Sequence, residues 1–169
     1  RFAVGFVLGS ALGIVLGLLA GAIPWVDDLI DPWVAALYPI PKSSLFPLFM
    51  MWFGLGYRSK IVTIFTGVIF LVLVNTVTGV KGINPVLLKA AKDLGASRSQ
   101  VFRKVILPGA LPNVFTGLRL GAGIGLILLF ITEIEATKAG LGFLLAVPSP
   151  GVPLVYYGDE IGMEGGADP

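Results

Sequence analysis

Residues 84–112 read NPVLLKAAKDLGASRSQVFRKVILPGALP, the one long polar interruption in an otherwise apolar chain. Between Lys81 and Lys104 lie six of the chain's twelve basic residues (Lys81, Lys89, Lys92, Arg98, Arg103 and Lys104), against a single acid, Asp93. Membrane proteins keep such a Lys/Arg excess on the cytoplasmic side. The loop is therefore expected to face the cytoplasm, and this orients the apolar segments on either side of it.

The loop has internal order. Asn84 can cap a helix whose first residue is Pro85, where a missing N–H costs nothing. Leu87, Ala90, Ala91 and Leu94 recur at helical spacing on one face. Gly95 suits the left-handed residue that ends such a helix. Ser97 and Gln100 form an S-x-x-Q capping box that starts a second short helix. Phe102, Val105 and Ile106 lie on its apolar side, and Pro108 is expected to stop it. Two short helices at an angle result, one of them bearing a small pair that lets another backbone or an aromatic knob come close. An amphipathic pair lying on lipid headgroups fits the same pattern.

Composition points to lipid as the solvent. Of 169 residues, 56% are apolar and 13% charged, against roughly 25% charged in a soluble domain. The length is one domain's worth. Net charge is only +2, and the basic residues gather in one loop, so no nucleic-acid partner is expected. With no cysteine and no histidine in the sequence, disulfides, thiol or imidazole metal sites and His-based catalysis are excluded; no cofactor is expected. Arg1-Phe2 opens inside an apolar run without an initiator Met, so a fragment is expected rather than a signal peptide.

Phe2–Ile23 carries no charge, and a run of about 20 apolar residues is enough to cross a hydrocarbon core. Gly5, Gly9, Gly13, Gly17 and Gly21 repeat every fourth residue, the small-xxx-small pattern of close helix packing in membranes. Pro24 ends this span, and Trp25 and Trp33 suit a membrane interface. The following stretch is broken by Pro39, Pro41, Lys42 and Pro47; it reads as a short edge element and then a proline-interrupted span from about 45 to 57. Broken helices are tolerated where they line a cavity or pack inside protein, which makes this segment a candidate for a translocation path. Ile61–Val80 is a clean span with Asn75, Thr76 and Thr78 near its loop end. Asn75 reads either as a pathway residue or as a bond to a neighbouring helix. A further span, Asn113–Thr132, is rich in glycine and carries Arg119, placed to snorkel toward the loop side, to pair with a carboxylate or to attract an anion. Glu133 and Glu135 stand at its far end. Asn75, Arg119 and Glu133 are the candidate pathway residues. The fold class is thus an all-α membrane protein with about four transmembrane helices (about 2–23, 45–57, 61–80 and 113–132) and a cytoplasmic two-helix loop (about 84–108).

Ala90-Ala91-x-x-x-Gly95, followed after nine intervening residues by Val105-Ile106-Leu107-Pro108, resembles the "EAA" loop of the membrane subunits of binding-protein-dependent ABC importers. Lys89 stands where that motif usually has Glu. From about Phe2 to Leu145 the chain is similar to the nitrate/sulfonate/taurine branch, through Pro39-x-Pro41, Pro47, Trp52-Phe53-Gly54-Leu55-Gly56, Asn75-Thr76, Gly117-Leu118-Arg119 and Gly140-Leu141-Gly142. The resemblance implies a partial permease fold in the inner membrane that imports a small solute, such as a sulfonate, nitrate or similar anion. It implies three protein partners: cytoplasmic ATP-binding subunits, a second permease subunit in a homodimer, and an extracytoplasmic solute-binding protein. It also implies that Ala90, Ala91, Leu94, Gly95, Arg98, Phe102, Arg103 and Pro108 couple ATPase closure to the spans. The chain has no G-x-x-x-x-G-K-[ST] phosphate loop, so ATP hydrolysis is expected in a separate subunit. The alternative is a non-transporting membrane scaffold, or a chimeric fragment with no activity.

Past Leu145 the resemblance stops, although the importer family continues into a further membrane helix. Residues 150–169, PGVPLVYYGDEIGMEGGADP, resemble a short segment of alpha-amylase-type glycoside hydrolases around Tyr156-Tyr157-Gly158-x-Glu160. A barrel of that type takes about 250 residues, so no sugar hydrolysis is expected from this piece. A joining of two genes, a natural fusion or a coincidence in a polar tail each account for it; the first is favoured because neither partner is complete. Residues 146–169 are expected to be irregular.

Overall fold

The structure, a computed structural model, describes residues 1–54 and 56–146, with side chains as far as residue 137. Every regular element among the described residues is helical. They fall into two units, Arg1–Thr132 and the residues from Glu133 onward. Among the described residues three helices are long and apolar enough to cross a membrane: Phe2–Ala22, Tyr57–Lys81 and the continuous run Arg98–Thr137.

The glycine repeat sets the first contact. α1 (Phe2–Ala22) buries Gly5, Gly9, Gly13 and Gly17 against α4 (Tyr57–Lys81). A methyl group on Gly5 would lie 2.9 Å from the Ile61 carbonyl oxygen, and one on Gly9 3.0 Å from that of Phe65. On Gly13 it would lie 2.8 Å from that of Ile69, and on Gly17 2.9 Å from that of Leu73. Each fourth residue of one helix therefore meets each fourth carbonyl of the other. Because both series rise together, the two helices run parallel. Gly21 lies against Val80 at one end, and the Arg1 guanidinium sits 5.5 Å from the centre of the Tyr57 ring at the other.

Two parallel spans need a return leg between them, and the chain builds it in pieces. α2 (Pro24–Leu37) begins beside the end of α4, where Lys81 Nζ donates to Asp27 Oδ2 at 2.7 Å. Ile30 and Val34 then line one groove with Val77 and Val74, so α2 runs back along α4. Pro39 and Pro41 break it, since neither has an N–H to continue a ladder. A 3₁₀ turn follows (Lys42–Leu45), then α3 (Phe46–Phe53), which buries Phe46 and Phe49 and packs on α4. Gly54, at φ +76°, takes a left-handed conformation that favours glycine and ends α3. At 1.5 Å per residue α2 covers about 21 Å and α3 about 12 Å. Neither is long enough to cross a core of about 30 Å alone; their summed length is about 33 Å. The stretch expected as a span from 45 to 57 holds the end of the 3₁₀ turn, all of α3 and the first residue of α4.

α5 (Pro85–Asp93) and α6 (Arg98–Val101) form a corner after α4. Pro108 does not stop the second of them. The chain passes from α6 through a π turn (Phe102–Ile106) straight into α7 (Leu107–Ala146). Leu107 N–H donates to the Phe102 carbonyl, five residues back. The ladder thus slips by one residue just before Pro108, which has no N–H to offer. The proline falls where the regular pattern is already interrupted, and the helix survives it. The helix that holds the span expected from Asn113 is thus already formed at Leu107.

α7 runs antiparallel to α4. Ala110 and Asn113 lie at Gly79, Gly117 lies on Val72 and Asn75, and Gly125 lies on Val68 and Ile64. Ile64, Val68, Val72 and Leu128 form the core, with Phe2 and Phe6 of α1 packed against it. Gly123, one of the glycines read in this span, faces open space.

Candidate functional site

The corner between α5 and α6 is fixed by its own backbone. Asn84 Oδ1 accepts from Val86 N–H at 2.9 Å, as the capping pattern requires. At the other end Ala96 N–H reaches the Ala91 carbonyl at 3.0 Å and Gly95 N–H that of Lys92 at 2.9 Å. Gly95 takes φ +77°. This is a Schellman closure, which needs a left-handed residue at that point. Ser97 Oγ accepts from Gln100 N–H at 3.3 Å while Gln100 Oε1 accepts from Ser97 N–H at 2.8 Å. Two caps and one glycine hold the turn without help from the spans.

Which faces the corner presents is settled by exposure. Leu94 is 87% and Leu87 57% exposed, and Ala90 lies open beside them. The apolar stripe of α5 therefore points away from the bundle. Ala91 is half-buried, and Arg98 and Arg103 are exposed. Phe102 is half-buried and, with Leu88, Val101 and Ile106, lines a groove of about 720 Å³ against Ile23 and Trp25 at the α1–α2 junction. Pro108 is exposed at the start of α7. Of the eight residues implied for coupling, Ala90, Leu94, Gly95, Arg98 and Arg103 are at the surface of the corner, whereas Phe102 seats it on the bundle.

The candidate pathway residues are carried by α4 and α7. Asn75 Nδ2 donates to the Leu71 carbonyl of its own helix at 2.8 Å, and a methyl on Gly117 would lie 2.9 Å from Asn75 Cβ; Asn75 belongs to the α4–α7 packing. Arg119 is exposed and stands twelve residues past Leu107. Because Gly117 lies at Val72 and Gly121 between Val68 and Val72, Arg119 is level with the middle of α4 rather than close to the loop end. Glu133 is half-buried on α7 and belongs to the second unit.

Two features escaped the sequence. Asp27 and Lys81 pair across 54 positions; no local pattern links residues so far apart. Their side chains are 23% and 50% exposed, and such partly open pairs contribute about 1 kcal/mol or less. A double-mutant cycle with Asp27→Asn and Lys81→Met, read by thermal unfolding in detergent, is expected to give a coupling no larger than that. The other is Lys42, read only as a breaker of the helical pattern.

Parallel spans keyed by a glycine ladder, a broken return leg, and a self-capped corner continuous with a further span define a multi-pass helical membrane subunit. Residues 13–152 match the family model described as binding-protein-dependent transport system inner membrane component, and the chain belongs to that family. The taurine transport system permease protein TauC of Escherichia coli K12 is 42% identical over 125 residues, 74% of this chain and 46% of the relative. A putative ABC transporter permease protein of Methanocaldococcus jannaschii is 42% identical over 146 residues, 86% of this chain and 55% of the relative. A putative aliphatic sulfonates transport permease protein of Bacillus subtilis 168 is 38% identical over 145 residues, 86% and 52% respectively. The chain spans about half the length of the curated relatives it matches. It is an inner-membrane, multi-pass permease chain, and its fold is the all-α architecture the sequence indicated. The glycosidase-like stretch lies outside the described residues.

Proposed function

We propose that the chain forms the membrane-spanning part of an ATP-driven importer of small anionic solutes, sulfonates first among them. The relatives named for taurine and aliphatic sulfonates support the solute class. In this reading the basic corner lies in the cytoplasm, where Ala90, Ala91, Leu94, Gly95, Arg98 and Arg103 engage an ATP-binding subunit. Phe102 and Pro108 carry its movement into α7. A second permease subunit and an extracytoplasmic solute-binding protein complete the assembly. Closure of the ATPases on nucleotide favours one arrangement of the spans, and release favours the other, so one site opens alternately to each side. ATP is hydrolysed by the partner, not by this chain.

One observation carries the reading. A self-capped corner turns the apolar stripe Leu87–Leu94 outward, with Leu94 87% exposed, and exposed apolar groups rimmed by charge mark protein contacts. Leu94→Asp leaves the corner's own bonds untouched. Co-expressed with the ATP-binding subunit, this variant of the full-length permease is expected to retain membrane insertion and co-purify at least about tenfold less ATPase, as loss of one apolar anchor of about 1.5–3 kcal/mol requires. Undiminished co-purification of Leu94→Asp, together with undiminished co-purification after removal of Lys89–Arg103, would leave the corner as a passenger on the headgroups and sink the coupling role.

A further inference from the structure

Lys42 is half-buried and lies level with the middle of α4. Its ammonium sits 4.7 Å from the centre of the Phe70 ring, and Phe70 is near the middle of the 25-residue α4. At 1.5 Å per residue that is about 20 Å from one end of α4 and about 16 Å from the other. The position is fixed by the break in the return leg, between the end of α2 and the start of α3. A lysine at such depth is expensive and is a functional residue by default, while irregular backbone at membrane depth persists where it is enclosed by protein or lines a water-filled space.

The neighbours of Lys42 in sequence match it. From Pro32 to Tyr57 the chain holds one charged side chain, Lys42, and two aliphatic hydroxyls, Ser43 and Ser44, directly after it. Among the described residues neither hydroxyl makes a hydrogen bond within the chain, and Ser43 is half-buried. Lys42 Nζ donates to the Leu37 carbonyl at the end of α2. An ammonium carries three N–H donors, so this bond leaves donor capacity for a ligand. One cation and two hydroxyls in an otherwise apolar break suit a small oxyanion whose several oxygens need donors. Lipid headgroups lie too far toward either surface to be that partner.

We propose that Lys42, Ser43 and Ser44 form the oxyanion-binding subsite of the translocation path, holding the sulfonate-class head of the solute at mid-membrane. This rests on the importer reading above and adds the group that recognises the solute. Charge-assisted bonds of the ammonium and hydroxyl donors to the oxyanion supply the recognition. Capping the end of α2 is the structural alternative, and it predicts different results.

The test uses the full-length permease, assembled with its ATP-binding subunits and solute-binding protein in proteoliposomes, with taurine as the probe. Lys42→Met is expected to lower taurine uptake at least about tenfold, the scale of one lost charge-assisted bond, while ATPase stimulation by the binding protein persists. Lys42→Arg is expected to restore most of the uptake. In a background without other cysteines, Lys42→Cys should react with a membrane-impermeant thiosulfonate reagent, and taurine should slow that reaction. Lys42→Met uptake within twofold of wild type overturns the proposal, as does Lys42→Cys that the reagent does not reach or that taurine does not protect. Wild-type vesicles that take up no sulfonate overturn the solute class itself, and this subsite with it; that outcome is seen before any variant is compared.

Discussion

Gly13→Leu is expected to abolish assembly of the membrane-embedded bundle. A first side-chain carbon at this position would sit 2.8 Å from the Ile69 carbonyl oxygen, 3.0 Å from Val72 Cβ and 3.2 Å from Leu73 N. Two of those three atoms are backbone, so no rotamer change relieves the clash. The helices must move apart, and along a ladder of four equivalent contacts separation at one rung opens its neighbours. Lipid offers no hydrophobic force to draw spans back together; close van der Waals packing is what holds them. Overpacking a well-filled contact costs about 1–3 kcal/mol when side chains can adjust, and here they cannot. The measurement is recovery of folded protein by fluorescence-detected size exclusion in mild detergent. A Gly13→Leu protein that elutes with wild-type yield and thermal midpoint would show that the α1–α4 ladder does not hold the bundle. Gly123→Leu, facing open space, is the control that should leave both unchanged.

Gly95→Val is expected to reduce association with the ATP-binding subunit about 5- to 30-fold, for a left-handed residue costs a β-branched side chain about 1–2 kcal/mol. The cause is conformational rather than steric, since a Cβ here meets nothing within 4 Å. Nothing nearby compensates that strain. α5 is nine residues long with no buried residue, and isolated helices of that length are marginal in water. The Schellman closure gives way, the angle between α5 and α6 is lost, and Leu94 no longer faces the side on which it is displayed. Asn tolerates the left-handed region better than other residues, so Gly95→Asn should keep most of the association. Pull-down of the ATP-binding subunit from membranes reads both. Equal association for Val and Asn would mean that the corner does not need this angle.

The parts of the fold set by local rules were legible without coordinates. The glycine spacing of α1, the Asn84 cap, the Ser97–Gln100 box and the role of Gly95 each depend on residues within a few positions of one another. What stayed hidden depended on distant pairing. Nothing in residues 24–53 says that α1 and α4 run the same way, so nothing in them says that they must cross back. Reading the prolines as punctuation put a span at 45–57 and left out α2, which precedes α3 on the same return leg. The same blindness hid the depth of Lys42, which is known only through Phe70. Pro108 misled for a different reason: the stop rule assumes an unbroken α ladder, and the π turn removes that assumption one step earlier. Arg119 then moved deeper because its helix starts sooner. For the corner, sequence located the apolar stripe but not the direction it faces.

The uninterrupted path from α6 into α7 has a mechanical corollary. A flexible tether would absorb a shove at the corner, whereas a continuous helix has no slack to take it up. From Phe102 to Gly117 is fifteen residues, about 22 Å of stiff rod. Gly117 and Gly121 rest on α4 at Val72 and Val68, so a shove at the corner is delivered along one stiff rod to the interior of the bundle instead of being spent in a loose joint.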